Sequence, residues 1–177
     1  MKTPRIVISV IAILSLGACA TPLTKNINID AEAEPGVDFT AYRTYAWLAT
    51  AQILNDPDGQ WEPRGLDADA EIQFLVNQQL RKRGITQAAT DPDMYVAYIA
   101  GVDMAAVKWK KDPTTKLDVL KNEPAGALAL ILLDATTGNP IWGAVASDNV
   151  QGTSTVDDTR KRLDYAVSKM FKRLPKS

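Results

Sequence analysis

Histidine is missing from this 177-residue chain, and cysteine occurs once. Without histidine there is no Ser-His-Asp or Cys-His nucleophilic site and no zinc site of the usual His or Cys kind. The general base that titrates nearest neutral pH is gone as well. An enzyme would be left with carboxylate pairs, Ser-Lys pairs or an oxygen-ligated metal, so the expectation is no enzyme, no metal and no cofactor. One cysteine cannot close an internal disulfide. An excess of charge of one sign is also lacking: 20 basic against 21 acidic residues give a formal charge of −1. The basic footprint of a nucleic-acid binder is therefore absent. Internal repeats and low-complexity tracts are absent too. Long apolar runs are limited to the first residues, and that run is shorter than the roughly 20 residues a bilayer span requires.

That run has a recognisable grammar. Lys2 and Arg5 precede the weakly polar to apolar stretch Ile6–Leu16, which ends in Leu16-Gly17-Ala18-Cys19. A charged start, a short apolar centre and small residues before a cut site make a signal peptide. The cysteine after Ala18 resembles the lipobox of bacterial lipoproteins. The resemblance implies cleavage between Ala18 and Cys19, with palmitate-type acyl chains and a diacylglyceryl thioether on Cys19. Ala20 after the cysteine, not an Asp, favours the outer membrane, facing the periplasm. Loss of residues 1–18 removes two basic residues and no acid, leaving 18 against 21, or −3.

The mature chain has the length of one domain. Residues 19–36 read as the lipidated cysteine and a flexible tether. The 16 residues from Ala20 to Pro35 would reach roughly 20 to 25 Å as a coil. The alternative is an edge strand beginning near Ile27 and Ile29. Residues 37–177 form the expected single domain. Tyr45 and Trp47 alternate with Thr44 and Ala46 in a strand. Asn55-Asp56-Pro57-Asp58-Gly59 is turn chemistry that lacks the ligand spacing of a calcium loop.

A helix is predicted from Asp67, as N-cap, to Arg83. Asp69 and Glu71 suit its positive end, Ile72, Leu75, Val76 and Leu80 make its apolar stripe, and Gly84 stops it. Residues 94–109 read as a long strand with a bulge at Gly101, and Lys108 to Pro124 as a long connection. Ala127–Asp134, a turn at Thr136–Asn139 and Ile141–Ala146 form a hairpin. A last helix, Val156 to Leu174, buries Leu163, Ala166, Val167, Met170, Phe171 and Leu174 and keeps Lys161, Arg162, Lys169 and Lys172 wet. These elements predict an α+β two-layer sandwich: an antiparallel-rich sheet of about four to five strands with both helices on one face.

Asp38-Phe39, Tyr42 and Thr44-Tyr45-Ala46-Trp47, in that order, resemble the opening of the bacterial envelope lipoprotein family known as domain of unknown function 4136. Arg83-Gly84, Pro92-Asp93, Asp134 to Gly138, Trp142-Gly143 and Leu174-Pro175 follow in the family's order. The length and basicity of Val107–Glu123 depart from the family pattern. The resemblance implies an α+β envelope lipoprotein with no assigned activity and no catalytic residues.

The function expected is a lipid-anchored, non-enzymatic binding or structural module of the cell envelope. Its partners would be the membrane, through the lipid on Cys19, and an envelope protein or glycan. One alternative is a carboxylate-dependent hydrolase or binder acting on cell-wall glycan, with Asp103, Glu123 and Asp134 as the carboxylates to test. Asp134 before Thr136-Thr137-Gly138 reads first as an Asx turn. The other alternative is a carrier of a hydrophobic ligand. Its candidate surface is Tyr95, Tyr98, Met104 and Trp109, on a sheet face left uncovered by the helices. Lys108-Trp109-Lys110-Lys111 reads first as a solvated strand end, with a sugar or an anionic head group as its alternative ligand.

Overall fold

A computed structural model describes residues 22–48, 52–54, 65–101, 108–111, 118–121, 126–148 and 155–176. A 3-10 turn at Pro22–Thr24 leads into β1 (Asn28–Ala33), β2 (Thr44–Trp47), β3 (Gln52–Leu54) and helix α1 (Ala68–Lys82). Then come β4 (Thr86–Gln87), β5 (Met94–Gly101), β6 (Lys108–Lys111), β7 (Asp118–Lys121), β8 (Gly126–Asp134), β9 (Pro140–Asp148) and helix α2 (Val156–Lys172).

The helices end where the residue chemistry says they should. Asp67 accepts a hydrogen bond from the Ala70 N–H and caps α1, and Thr155 does the same for α2 through the Asp158 N–H. Gly84 stops α1 at φ +76°, a left-handed conformation that costs glycine little. Both apolar stripes are buried as expected: Ile72, Leu75, Val76 and Leu80 on α1, Leu163, Ala166, Val167, Met170 and Phe171 on α2. Arg162 departs from expectation, half-buried in an ion pair with Asp148 at 2.6 Å.

Seven strands form one sheet in the order β1-β9-β8-β5-β2-β4, with β3 continuing along β5 beyond the end of β2. The expected four to five strands and antiparallel-rich pairing are corrected: the sheet is larger and mixed. β1, β9, β8 and β5 pair antiparallel, whereas β2 and β3 run parallel to β5 and β4 parallel to β2. The reason is α1, which carries the chain back along the sheet between β3 and β5. A helical crossover returns the next strand in the direction of the one before it. β3 and β4 have only three and two residues, too few to show a period.

β1 also corrects the tether. Asn28–Ala33 pairs with β9 over six registered positions, so the ordered domain begins well before Val37. Ile29, Ala31 and Ala33 pack against the core while Asn28, Asp30 and Glu32 are exposed. This alternation is easily missed because alanine supplies two of the three inward positions. The two outward acids also discourage edge-to-edge pairing with another sheet.

Both helices cover one face of the sheet, as expected. Met94, Val96, Tyr98 and Ala100 of β5, Leu128, Leu130 and Leu132 of β8, and Trp142 and Ala144 of β9 share their core. The intervening positions face the other side. There Tyr95, Ala97, Ile99, Ile131 and Leu133 are half-buried, while Ala127, Ala129 and Val145 form a small buried cluster of their own. The chain thus covers the outer face near one end of β8 and leaves it more open toward the other. Gly101 pairs in register with Ala127 without a bulge; the irregularity falls between Leu132 and Leu133. Among the described residues no helix is long and apolar enough to cross a membrane.

Candidate functional site

The residues that carry the family resemblance meet at one end of the sheet. Five of them, Tyr42, Pro92, Asp93, Asp134 and Thr136, line an open cleft of about 560 Å³ together with Asp91 and Tyr95. Three elements bring them there: the segment entering β2, the residues before β5, and the β8–β9 turn.

Asp93 is held by the start of β2. Its Oδ2 accepts from the Arg43 N–H at 2.9 Å, the Thr44 N–H at 2.8 Å and the Thr44 hydroxyl at 2.9 Å. The Asp93 N–H donates back to Thr44 Oγ1 at 3.0 Å. These donors, the Arg43 N–H first, hold the Asp93 carboxyl below the usual value of 3.8. Asp134 organises the hairpin turn, as its place in the sequence predicts. Its Oδ1 accepts from the N–H groups of Thr136 and Thr137 and from the Thr137 hydroxyl. Gly138, at φ +72°, lets the turn close by donating its N–H to the Asp134 carbonyl at 2.8 Å.

Tyr42 joins the two anchors. Its hydroxyl donates to Asp134 Oδ2 at 2.9 Å. Burial, and then the hydrogen bond and charge of Asp134 with the charge of Asp93, push the Tyr42 phenol up to about 12. Asp134 is correspondingly lowered, chiefly by the Thr137 N–H and next by Tyr42. A third link, the Ala135 N–H to the Asp93 carbonyl at 3.0 Å, ties the turn to the start of β5. The cleft therefore has an acidic rim in which the carboxylates of Asp93 and Asp134 are engaged by their own chain. Among the described residues, no group of three or more such side chains is arranged to hold a metal ion.

The residues proposed from the sequence divide. Tyr95 is half-buried on the outer face and lines the cleft. Tyr98 is corrected: it is fully buried on the helix side, donates to Asp69 of α1, and meets Trp47 edge-on at 6.1 Å. Register explains the split, because three steps along a strand lead to the opposite face. Trp109 lies in β6, opposite Leu120 of β7. Ala18, Cys19, the Asn55–Gly59 turn, Asp103, Met104 and Glu123 lie outside the described residues. Of the three carboxylates to test, only Asp134 is described, and it sits in the turn.

Asp91 and Asp93, and the phenol of Tyr42 beside them, are not among the carboxylates expected at the sheet ends. The signal was in hand, since Pro92-Asp93 and Tyr42 belong to the resemblance, but nothing in their spacing says that they meet. Two further polar nodes went unforeseen. Asn77 Oδ1 accepts from the Tyr45 hydroxyl at 2.6 Å and the Trp47 indole N–H at 3.0 Å, fixing β2 to α1. The Arg83 guanidinium donates to the carbonyls of Phe171, Leu174 and Pro175 at 2.6, 2.9 and 2.8 Å, joining the end of α1 to the end of α2.

A family model described as Domain of unknown function (DUF4136) matches residues 29–176. No curated protein matches. The fold is shared with a DUF4136 family protein from Bacteroides thetaiotaomicron, at 14% identity over 84% of this chain and 95% of that one, with a TM-score of 0.55. It is also shared with a PDZ domain protein from Parabacteroides distasonis, at 14% identity, 87% coverage and a TM-score of 0.52; this chain spans only 38% of that protein's length. The PelC dodecamer from Paraburkholderia phytofirmans is similar at 13% identity over 85% of this chain and 99% of that one, with a TM-score of 0.50. At such identities the likeness is one of fold. The match over residues 29–176 identifies the chain as a member of the DUF4136 family.

Proposed function

We propose that this protein is a lipid-anchored module of the bacterial envelope, held at the outer membrane on its periplasmic side, with a binding or structural task and no catalysis of its own. The observation that carries the anchor is Leu16-Gly17-Ala18-Cys19 directly after an apolar run too short to span a bilayer. Several acyl chains, each contributing about 0.8 kcal/mol per buried methylene, hold a protein to a membrane stably.

The cleft supports the non-enzymatic part of the reading. Glycoside hydrolysis needs one carboxyl kept protonated opposite one kept ionised. Asp93 and Asp134 are both pushed toward the ionised state by donors of their own chain. Their hydrogen bonds brace the entry to β2 and the β8–β9 turn, which is what a scaffold asks of them.

Mass spectrometry of the protein from the membrane fraction tests the anchor. The expected result is a diacylglyceryl-modified, N-acylated Cys19 as first residue, with Cys19→Ser released from the membrane. An unmodified Cys19, or a Cys19→Ser variant still attached, would overturn it. Hydrolysis of cell-wall glycan that is lost in Asp93→Asn or Asp134→Asn would overturn the non-enzymatic reading.

A further inference from the structure

Both helices run the same way along the sheet, and their C-terminal ends come to the cleft end. Phe171, near the end of α2, packs on Trp142, the β9 partner of Ala33. The end of α1 is stitched to the entry of β2, where the Thr86 N–H donates to the Arg43 carbonyl at 2.9 Å, beside the Thr44 that holds Asp93. The Arg83 guanidinium then binds the two helix ends to each other.

Charge follows this geometry. Residues 72–90 and 165–176 carry seven basic side chains and no acidic one. Arg83 is engaged in the clamp, whereas Arg81, Lys82, Lys172 and Arg173 are exposed. Helix dipoles account for cations in the last turns. They do not account for the absence of every acid from the C-terminal halves of both helices.

The same end holds the opposite sign in the cleft. Asp91 and Asp93 are exposed there and Asp134 is half-buried, with no basic side chain on the cleft walls. The groups that lower Asp93 and Asp134 are hydrogen-bond donors, not cations. The donors from β2 all fall on Asp93 Oδ2, which leaves Oδ1 its acceptor capacity. Among the described residues the ion pairs are Arg160 with Glu71 and Arg162 with Asp148, toward the other end. The cleft end thus carries both signs without pairing them within the chain. Such an end is complementary to itself: a two-fold axis lays the basic set of each copy on the acidic rim of the other.

We propose that this end is a contact between two copies of the chain, with Arg81, Lys82, Lys172 and Arg173 of one copy meeting Asp91, Asp93 and Asp134 of the other. A two-fold contact makes both sets of pairs at once and closes, so the assembly is a dimer. Charge complementarity of this kind sets register and steers encounter more than it adds affinity, and salt screens it.

The test is sedimentation of the full chain in nonionic detergent micelles, at about 20 mM and about 500 mM salt, where screening lengths differ severalfold. The native chain should be dimeric at the lower salt and dissociate about tenfold or more readily at the higher. Two charge-reversed chains sharpen the test: R81E/K172E/R173E, and D91K/T136K, Thr136 being an exposed residue of the cleft. Each alone should be monomeric where the native chain is dimeric. Their equimolar mixture should dimerise again, because each then carries the sign that the other lacks. If a reversed chain fails to fold, the neutral K172Q/R173Q takes its place and must itself weaken the dimer. A native chain that stays monomeric at low salt and on the order of 0.1 mM protein overturns the proposal. So does a reversed chain that dimerises as the native one does, or a mixture of folded reversed chains that stays monomeric. A monomeric chain whose basic end binds anionic vesicles also overturns it, since the charge then serves a lipid surface.

Discussion

The two ends of the sheet are built by different means. At the cleft end, side chains are tied to groups far away in sequence: Tyr42 to Asp134, Thr44 to Asp93, and Arg83 to the backbone carbonyls of Phe171 and Leu174. At the opposite end, where Asn28 pairs with Ser147, the cross-links among described side chains are the hydrogen bond from Tyr98 to Asp69, an ion pair between Arg162 and Asp148 and a more exposed one between Arg160 and Glu71. Family-signature residues collect at the first end. The contrast teaches that the recurring pattern in the sequence serves assembly of the cleft end.

The largest effect should come from Phe171, buried against Trp142 at a centroid distance of 5.5 Å near the cleft end. Phe171→Ala is expected to cost about 3 to 5 kcal/mol, read as a sharp fall in the thermal midpoint, while Lys172→Ala leaves it in place. Arg83 comes next. Arg83→Met removes three hydrogen bonds to helix-end carbonyls and should cost about 2 kcal/mol in denaturant titration. Arg83→Lys should recover only part of it, because an ammonium lacks the planar fork. Equal losses from Arg83→Met and from the exposed Arg160→Ala would erase the contrast between the ends.

The pH profile sharpens it further. Asp93 and Asp134 are lowered in the folded protein, so their contribution is fully present above the usual carboxylate value of 3.8 and is lost as pH falls through their depressed values. Tyr42 is raised, so its contribution is fully present below 10 and is lost as pH rises toward about 12. Tyr42→Phe should flatten the alkaline limb of a stability titration while keeping most of the acid one. The smallest effect belongs to Arg160→Ala, whose pair with Glu71 at 3.2 Å is half-exposed on the arginine side. It should change stability by less than about 0.5 kcal/mol.

The helices were legible because capping, dipole and stripe agree at Asp67, at Gly84 and along Leu163 to Leu174. The β8–β9 hairpin was legible because Asp134 and Gly138 carry their turn chemistry locally. Parallel pairing was harder, although strand, helix, strand in that order already implied it: the long apolar hairpin drew attention to antiparallel partners. β1 hid behind its alanines. The cleft was unreadable for another reason, since Tyr42, Asp93 and Asp134 lie 51 and 92 positions from the first to the others and only the sheet order brings them together. Tyr98 shows the converse limit, where the residue was noticed correctly and its face depended on one step of register.

The direction of β1 has a mechanical consequence. Its first residue, Asn28, lies at the end opposite the cleft, and its six registered partners on β9 run toward the cleft. With the proposed acyl anchor on Cys19 and the cleft gripping something fixed, tension between the two would run along the axis of β1. The strand would be sheared against β9, with its rungs sharing the load, instead of being peeled away one rung at a time. An edge strand that is easy to overlook in the sequence would then be the part of the fold that bears the pull.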